Sequence, residues 1–180
     1  KKLHFTDRYS AFKQIHFPAN ENEYDQALRR LKFEEFFIAQ LRLGLVKSER
    51  HRFSRGVKFE QVGDLFNTFY QKHLPFQLTG AQKRVLKEIR KDLGSGKQMN
   101  RLLQGDVGSG KTIVALLSLL LGADNGFQGC LMAPTEILAQ QHYESIVELL
   151  GSLPVKVRLL TGSTKAAERK EILKLSLEGA

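Results

Sequence analysis

The sequence predicts an α/β fold, a layer of parallel strands covered by helices, preceded by an α-helical connector. Three observations predict it. From Leu74 onward, short apolar runs alternate with longer stretches of helical periodicity, the pattern of right-handed βαβ units. Those runs are almost continuously apolar, as strands covered on both faces are. Before Leu74 the apolar residues keep helical spacing instead. The expected division is a connector over residues 1–74 and an α/β part over 75–180.

Residues 1–19 read as an irregular leading segment. Ile15-His16-Phe17-Pro18 is expected to be extended, because the residue before a proline avoids the helical region. Asn20 is a candidate helix cap, with Glu23 completing a capping box. Tyr24, Ala27, Leu28, Leu31, Ile38, Leu41 and Leu45 follow at helical spacing, and Phe33, Phe36 and Phe37 widen the stripe. A helix apolar over so much of its surface is expected to touch more than one neighbour. It is expected to end near Ser48. There a basic cluster of Lys47, Arg50, Arg52, Arg55 and Lys58 reads as a solvated connector. A second helical pattern runs through Phe59, Val62, Leu65, Phe66, Phe69 and Tyr70.

The α/β part begins with a helix from Thr79 that carries Val85, Leu86, Ile89 and Leu93 and breaks at Gly94-Ser95-Gly96. The candidate strands are Met99–Gln104, Gly129–Ala133 and Val155–Leu160. A glycine-rich turn over 105–110 follows the first and leads to a very apolar helix through Leu121. A helix from Thr135 to about Leu150 follows the second. The third ends in a turn at Thr161-Gly162-Ser163 and a helix from about Lys165.

Composition bounds the chemistry. The chain has 180 residues, 42% of them hydrophobic, enough for a core and against wholesale disorder. One cysteine, Cys130, excludes an internal disulfide and a cysteine-based metal cluster. The longest apolar stretch, Ile113–Gly122, is too short to span a bilayer. Lysine and arginine outnumber acids 28 to 19, a net charge of +9, which admits nucleic acid as a partner. The excess divides almost evenly, +5 over residues 1–74 and +4 over 75–180.

The sharpest signal is Gly105-Asp106-Val107-Gly108-Ser109-Gly110-Lys111-Thr112, which matches G-x-x-x-x-G-K-[ST], the P-loop. Its glycines let successive N–H groups turn inward onto phosphate oxygens. The helix that starts near Gly110 adds the partial positive charge of its N-terminus. Lys111 is expected at the β- and γ-phosphates of a nucleoside triphosphate, and the Thr112 hydroxyl on Mg²⁺.

Together with Leu74-Pro75-Phe76-Gln77-Leu78-Thr79-Gly80-Ala81-Gln82 upstream and Ala133-Pro134-Thr135-Glu136-Ile137-Leu138-Ala139-Gln140-Gln141-His142 downstream, the P-loop resembles that of the superfamily 2 helicases. The wording of Met99–Thr112 and Leu159–Ser163 is similar to that of bacterial branched-DNA translocases. Ser109 and Glu136-Ile137-Leu138 favour these over transcription-repair coupling motors. The resemblance implies a RecA-like motor lobe, ATP and Mg²⁺ as cofactors, and branched or forked duplex DNA as partner. It also implies a bacterial, cytoplasmic, nucleoid-associated location and an intact protein that is monomeric.

Carried onto single residues, the resemblance implies that Gln82 reads adenine. Thr79-x-x-Gln82 is also a capping box that needs no ligand. Phe76 reads equally as a base neighbour or a core anchor. Pro134, Thr135 and Gln141 are implied strand contacts, and so are Thr161, Gly162 and Ser163; ordinary helix initiation and a plain turn are the competing readings. His142 is a weaker candidate, and Arg101 reads as a surface ion pair.

A P-loop ATPase also needs an acidic motif to hold Mg²⁺ and orient water. After Ser163 the only acids are Glu168, Glu171 and Glu178, all in a helical pattern with lysines. The chain is therefore expected to be an internal piece of a longer polypeptide whose other domains are needed for turnover. A small nucleotide kinase and a non-catalytic, nucleotide-gated DNA-binding module are the competing functional classes.

Overall fold

The computed structural model describes residues 4–53 and 55–179. They fall into two compact units, Lys1–Ser54 and Arg55–Ala180. The first is a helical hairpin of α1 (Arg8–His16) and α2 (Glu21–Phe53). The leading segment is thus helical rather than irregular. Asp7 supplies the missed signal: its carboxylate accepts from the Ser10 N–H at 3.0 Å and starts α1. Hydrogen bonding from Ser10 also holds the Asp7 carboxyl below its usual range. The hairpin then closes around two small residues, Ala11 and Ala27, both fully buried.

Asn20 caps α2 by accepting from the Glu23 N–H at 3.0 Å. The Glu23 carboxylate reaches one residue further back than a standard capping box, to the Ala19 N–H. The helix passes Ser48 and runs to Phe53, about 50 Å in all at 1.5 Å per residue. Much of the expected basic connector is therefore helical. Of that cluster, the Arg50 and Arg52 side chains lie outside the described residues.

The second unit contains α3 (Asp64–Thr68), a π-helical turn (Phe69–His73), α4 (Gly80–Leu93), α5 (Lys111–Asp124), α6 (Glu136–Leu150) and α7 (Ala166–Glu178). At its centre lies α5, apolar nearly all round, with Leu117 and Leu120 buried beside Phe69. Burying side chains of this size contributes roughly 1.5–3 kcal/mol each. Leu86 and Ile89 of α4 and Ile146 and Leu150 of α6 complete the core.

Residues 55–74 pack in this unit. Asp124 at the end of α5 accepts from the N–H groups of Gly63, Leu65 and Phe66, each at 3.0 Å. Asn125 pairs both ways with the Gln61 backbone. A β-carbon on Gly63 would lie 2.6 Å from the Asp124 carboxylate, so only glycine permits the approach.

The three candidate strands differ from expectation. Among the described residues 99–104, 129–133 and 155–160 are not paired into a ladder, and the one β-bridge joins Arg55 to Lys97. Met99, Leu103, Val155 and Val157 still pack on the core. Their neighbours turn outward: Leu102 is 83% and Met132 88% exposed. The first and third segments keep one side on the core and residues 129–132 are exposed throughout, whereas a parallel sheet needs helices on both faces.

Candidate nucleotide and DNA-strand site

The P-loop wraps its own lysine. Lys111 Nζ donates to the carbonyls of Gly105 and Asp106, both at 2.8 Å. Gly108 and Gly110 sit at φ +80° and +79°, the left-handed region that side chains avoid. Gly110 precedes α5 with no side chain capping the helix, so the N-terminus faces the loop. Lys111 and Thr112, in its first turn, are half-buried. Asp106, Val107 and Ser109 are exposed on the outer edge of the loop.

Gln82 performs the capping-box role and a second one. Its Oε1 accepts from the Thr79 N–H at 2.8 Å, while Thr79 Oγ1 accepts from the Gln82 N–H at 3.2 Å. Its Nε2 also donates to the Ser109 carbonyl at 3.0 Å, joining α4 to the P-loop. Phe76 is 47% exposed and lines a cleft of about 530 Å³ with Tyr70, Pro75 and Lys83. It is not a core anchor; Leu78 fills that place.

The strand-contact candidates gather at a second cleft, of about 400 Å³, lined by Pro134, Thr135, Thr161 and Gly162. Thr135 caps α6 by accepting from the Leu138 N–H at 3.3 Å. Thr161 and Ser163 share a hydroxyl hydrogen bond of 2.9 Å. Gln141 is exposed further along α6, outside this lining, and His142 is half-buried.

Two residues that sequence reasoning missed organise the cleft. Glu136 Oε1 accepts from the Ser163 N–H at 2.9 Å, and Arg169 donates to the Thr161 carbonyl. Nothing local in the sequence marks either pair, since 27 residues separate Glu136 from Ser163. Arg101 does form the expected ion pair. It joins Glu88 at 2.8 Å and Asp92, and the hydrogen bond to Asp92 raises its pKa above the ordinary arginine value.

Known proteins resemble this chain in sequence and fold. The family described as DEAD/DEAH box helicase matches residues 79–178, and the chain belongs to that family. Over 96% of its length the chain is 46% identical to the ATP-dependent DNA helicase RecG of Synechocystis. It is 47% identical over 99% to RecG of Streptococcus pneumoniae and 44% over 96% to RecG of Bacillus subtilis. It spans 21%, 26% and 25% of those relatives. A solved structure of RecG bound to a three-way DNA junction superposes with a TM-score of 0.78 at 44% identity. It covers 92% of this chain and 22% of that one. The fold is that of a RecA-like helicase lobe in part.

Proposed function

We propose that this chain is part of an ATP-driven motor that moves on duplex DNA and remodels branched structures such as stalled forks. The supporting observation is the P-loop curled around Lys111 and tied to α4 through Gln82. Gly105 to Gly110 cradle the phosphates, and Lys111 exchanges its two loop carbonyls for β- and γ-phosphate oxygens. Gln82 turns its amide to the adenine edge.

The donor set suits Mg²⁺ held mainly by phosphate oxygens, with the half-buried Thr112 hydroxyl as protein ligand. When bound there, the ion would neutralise charge that develops on the phosphates. Pro134, Thr135, Gln141, Thr161, Gly162 and Ser163 hold one DNA strand, with Glu136 and Arg169 fixing the turn. In the intact protein, residues 99–104, 129–133 and 155–160 form a parallel sheet. Residues 1–74 serve as the connector and 75–180 as the first part of the lobe. We place the intact protein as a monomer in the bacterial cytoplasm, at the nucleoid.

These 180 residues alone are expected to bind ATP weakly and not to turn it over, because the acids after Ser163 lie on α7 among lysines. A malachite-green phosphate assay with and without forked DNA, beside binding of a fluorescent ATP analogue, tests this. Expected are no DNA-stimulated release and weak binding that Lys111→Ala abolishes. Binding indifferent to Lys111→Ala would overturn the P-loop reading. DNA-stimulated release lost in Lys111→Ala would show that the chain holds a complete motor.

A further inference from the structure

Five of the basic residues in the second unit lie on one helix. Lys83, Arg84, Lys87, Arg90 and Lys91 are all exposed on α4. At 3.6 residues per turn they share an arc of about 120°. The opposite side is committed to the core through Leu86 and Ile89. The two acids of α4, Glu88 and Asp92, fall outside the arc, and the Arg101 guanidinium draws both to itself. A helix whose own carboxylates are engaged by a cation from another segment presents an almost purely positive face.

We infer that this face of α4 is a second DNA-binding surface, which lies along the phosphate backbone of a duplex. The inference rests on the reading of the chain as part of a DNA-acting motor, but it uses none of the strand-contact residues at 134–163. From Lys83 to Lys91 the helix rises about 12 Å at 1.5 Å per residue. Along one strand, duplex DNA carries one phosphate per about 3.4 Å of axis, so about three or four phosphates fall within that span. One strand therefore offers a phosphate for most of the cations along the helix. Phosphate contacts of this kind position a duplex without reading its sequence.

The test uses the 180-residue chain and a duplex of about three helical turns, with affinity measured by fluorescence anisotropy across a salt series. Lys83 lines the cleft beside Phe76, so it is left intact. The variant replaces Arg84, Lys87, Arg90 and Lys91 by glutamine. A control replaces Lys13, Lys32, Lys170 and Lys174 by glutamine, losing the same charge from dispersed exposed positions. Circular dichroism and thermal melting verify that both fold.

Each lost phosphate contact should flatten the log–log salt slope by about 0.9, so three to four contacts give about 2.7–3.6. The expected result is that flattening, with affinity at low salt reduced at least about tenfold, in the α4 variant and not in the control. Equal effects in both variants, or no change in slope, would overturn the inference. Retained duplex binding with loss of poly-glutamate binding would assign the face to an acidic protein and overturn it as well. Thr135→Ala runs in parallel on single-stranded DNA. Loss there with an unchanged α4 variant leaves the motor reading standing and removes this one; no DNA binding by the parent chain removes both.

Discussion

Gln82 uses one amide for two purposes, and its oxygen and nitrogen can be separated by substitution. The oxygen completes the cap of α4, and the nitrogen reaches the Ser109 carbonyl. Glutamate keeps the acceptor and loses the donor. Gln82→Glu is therefore expected to keep most of its thermal stability while ATP-analogue binding weakens several-fold. Gln82→Ala should lose binding and, with the capping box broken, about 1 kcal/mol of stability. Thermal melts beside a fluorescent-nucleotide titration distinguish the two. Equal stability of the two variants would mean that the cap oxygen contributes nothing, and unchanged nucleotide binding in Gln82→Glu would mean that the link to Ser109 contributes nothing. The neighbouring loop leaves little room: a β-carbon on Gly110 would come within 2.4 Å of Gln82 Nε2.

Asp124 links α3 to α5 and, with the buried Phe69, attaches residues 55–74 to the rest of the second unit. Asp124 satisfies three backbone N–H groups that have no helical partner at the start of α3. Asp124→Ala is expected to cost about 2 kcal/mol, because half-buried donors are left unpaired. Urea unfolding measures the loss. Limited proteolysis should show new cleavage between residues 59 and 74; an unchanged digest would mean that Phe69 and its packing alone hold the segment. The helices of this unit are legible from periodicity and caps, since Thr79, Thr135 and Gly110 mark three starts through local hydrogen bonds or backbone angles. The first helix of the chain escapes such a reading because its only strong signal, Asp7, precedes a weakly patterned stretch. The expected ladder is not formed among the described residues, because continuous apolar runs announce burial without saying that partners are present on both sides.

The molecule as a whole exposes a good deal of apolar surface. On α2, Phe36 is 69%, Phe37 53% and Leu43 63% exposed. Such a stripe favours contact with other apolar surfaces. Light scattering is expected to show the weight-average mass rising with concentration, and Phe36→Lys with Leu43→Lys should flatten that rise. A mass constant with concentration in the parent chain would remove the prediction. The charge distribution carries a related lesson: the near-even division of +9 along the chain gives no hint of a patch. Folding gathers five cations on α4 and, through Arg101, engages the acids beside them.

The helices of the second unit, the P-loop and the caps of α4 and α6 are all set by local sequence. They depend on hydrogen bonds and backbone angles within a few residues of one another. Tertiary folding was needed to show that Gln82 also grips Ser109, that Glu136 and Arg169 hold the 161–163 turn, and that Asp124 claims the start of α3. Those contacts join residues 8 to 61 positions apart, and a donor near in space but distant in sequence leaves no local pattern to read.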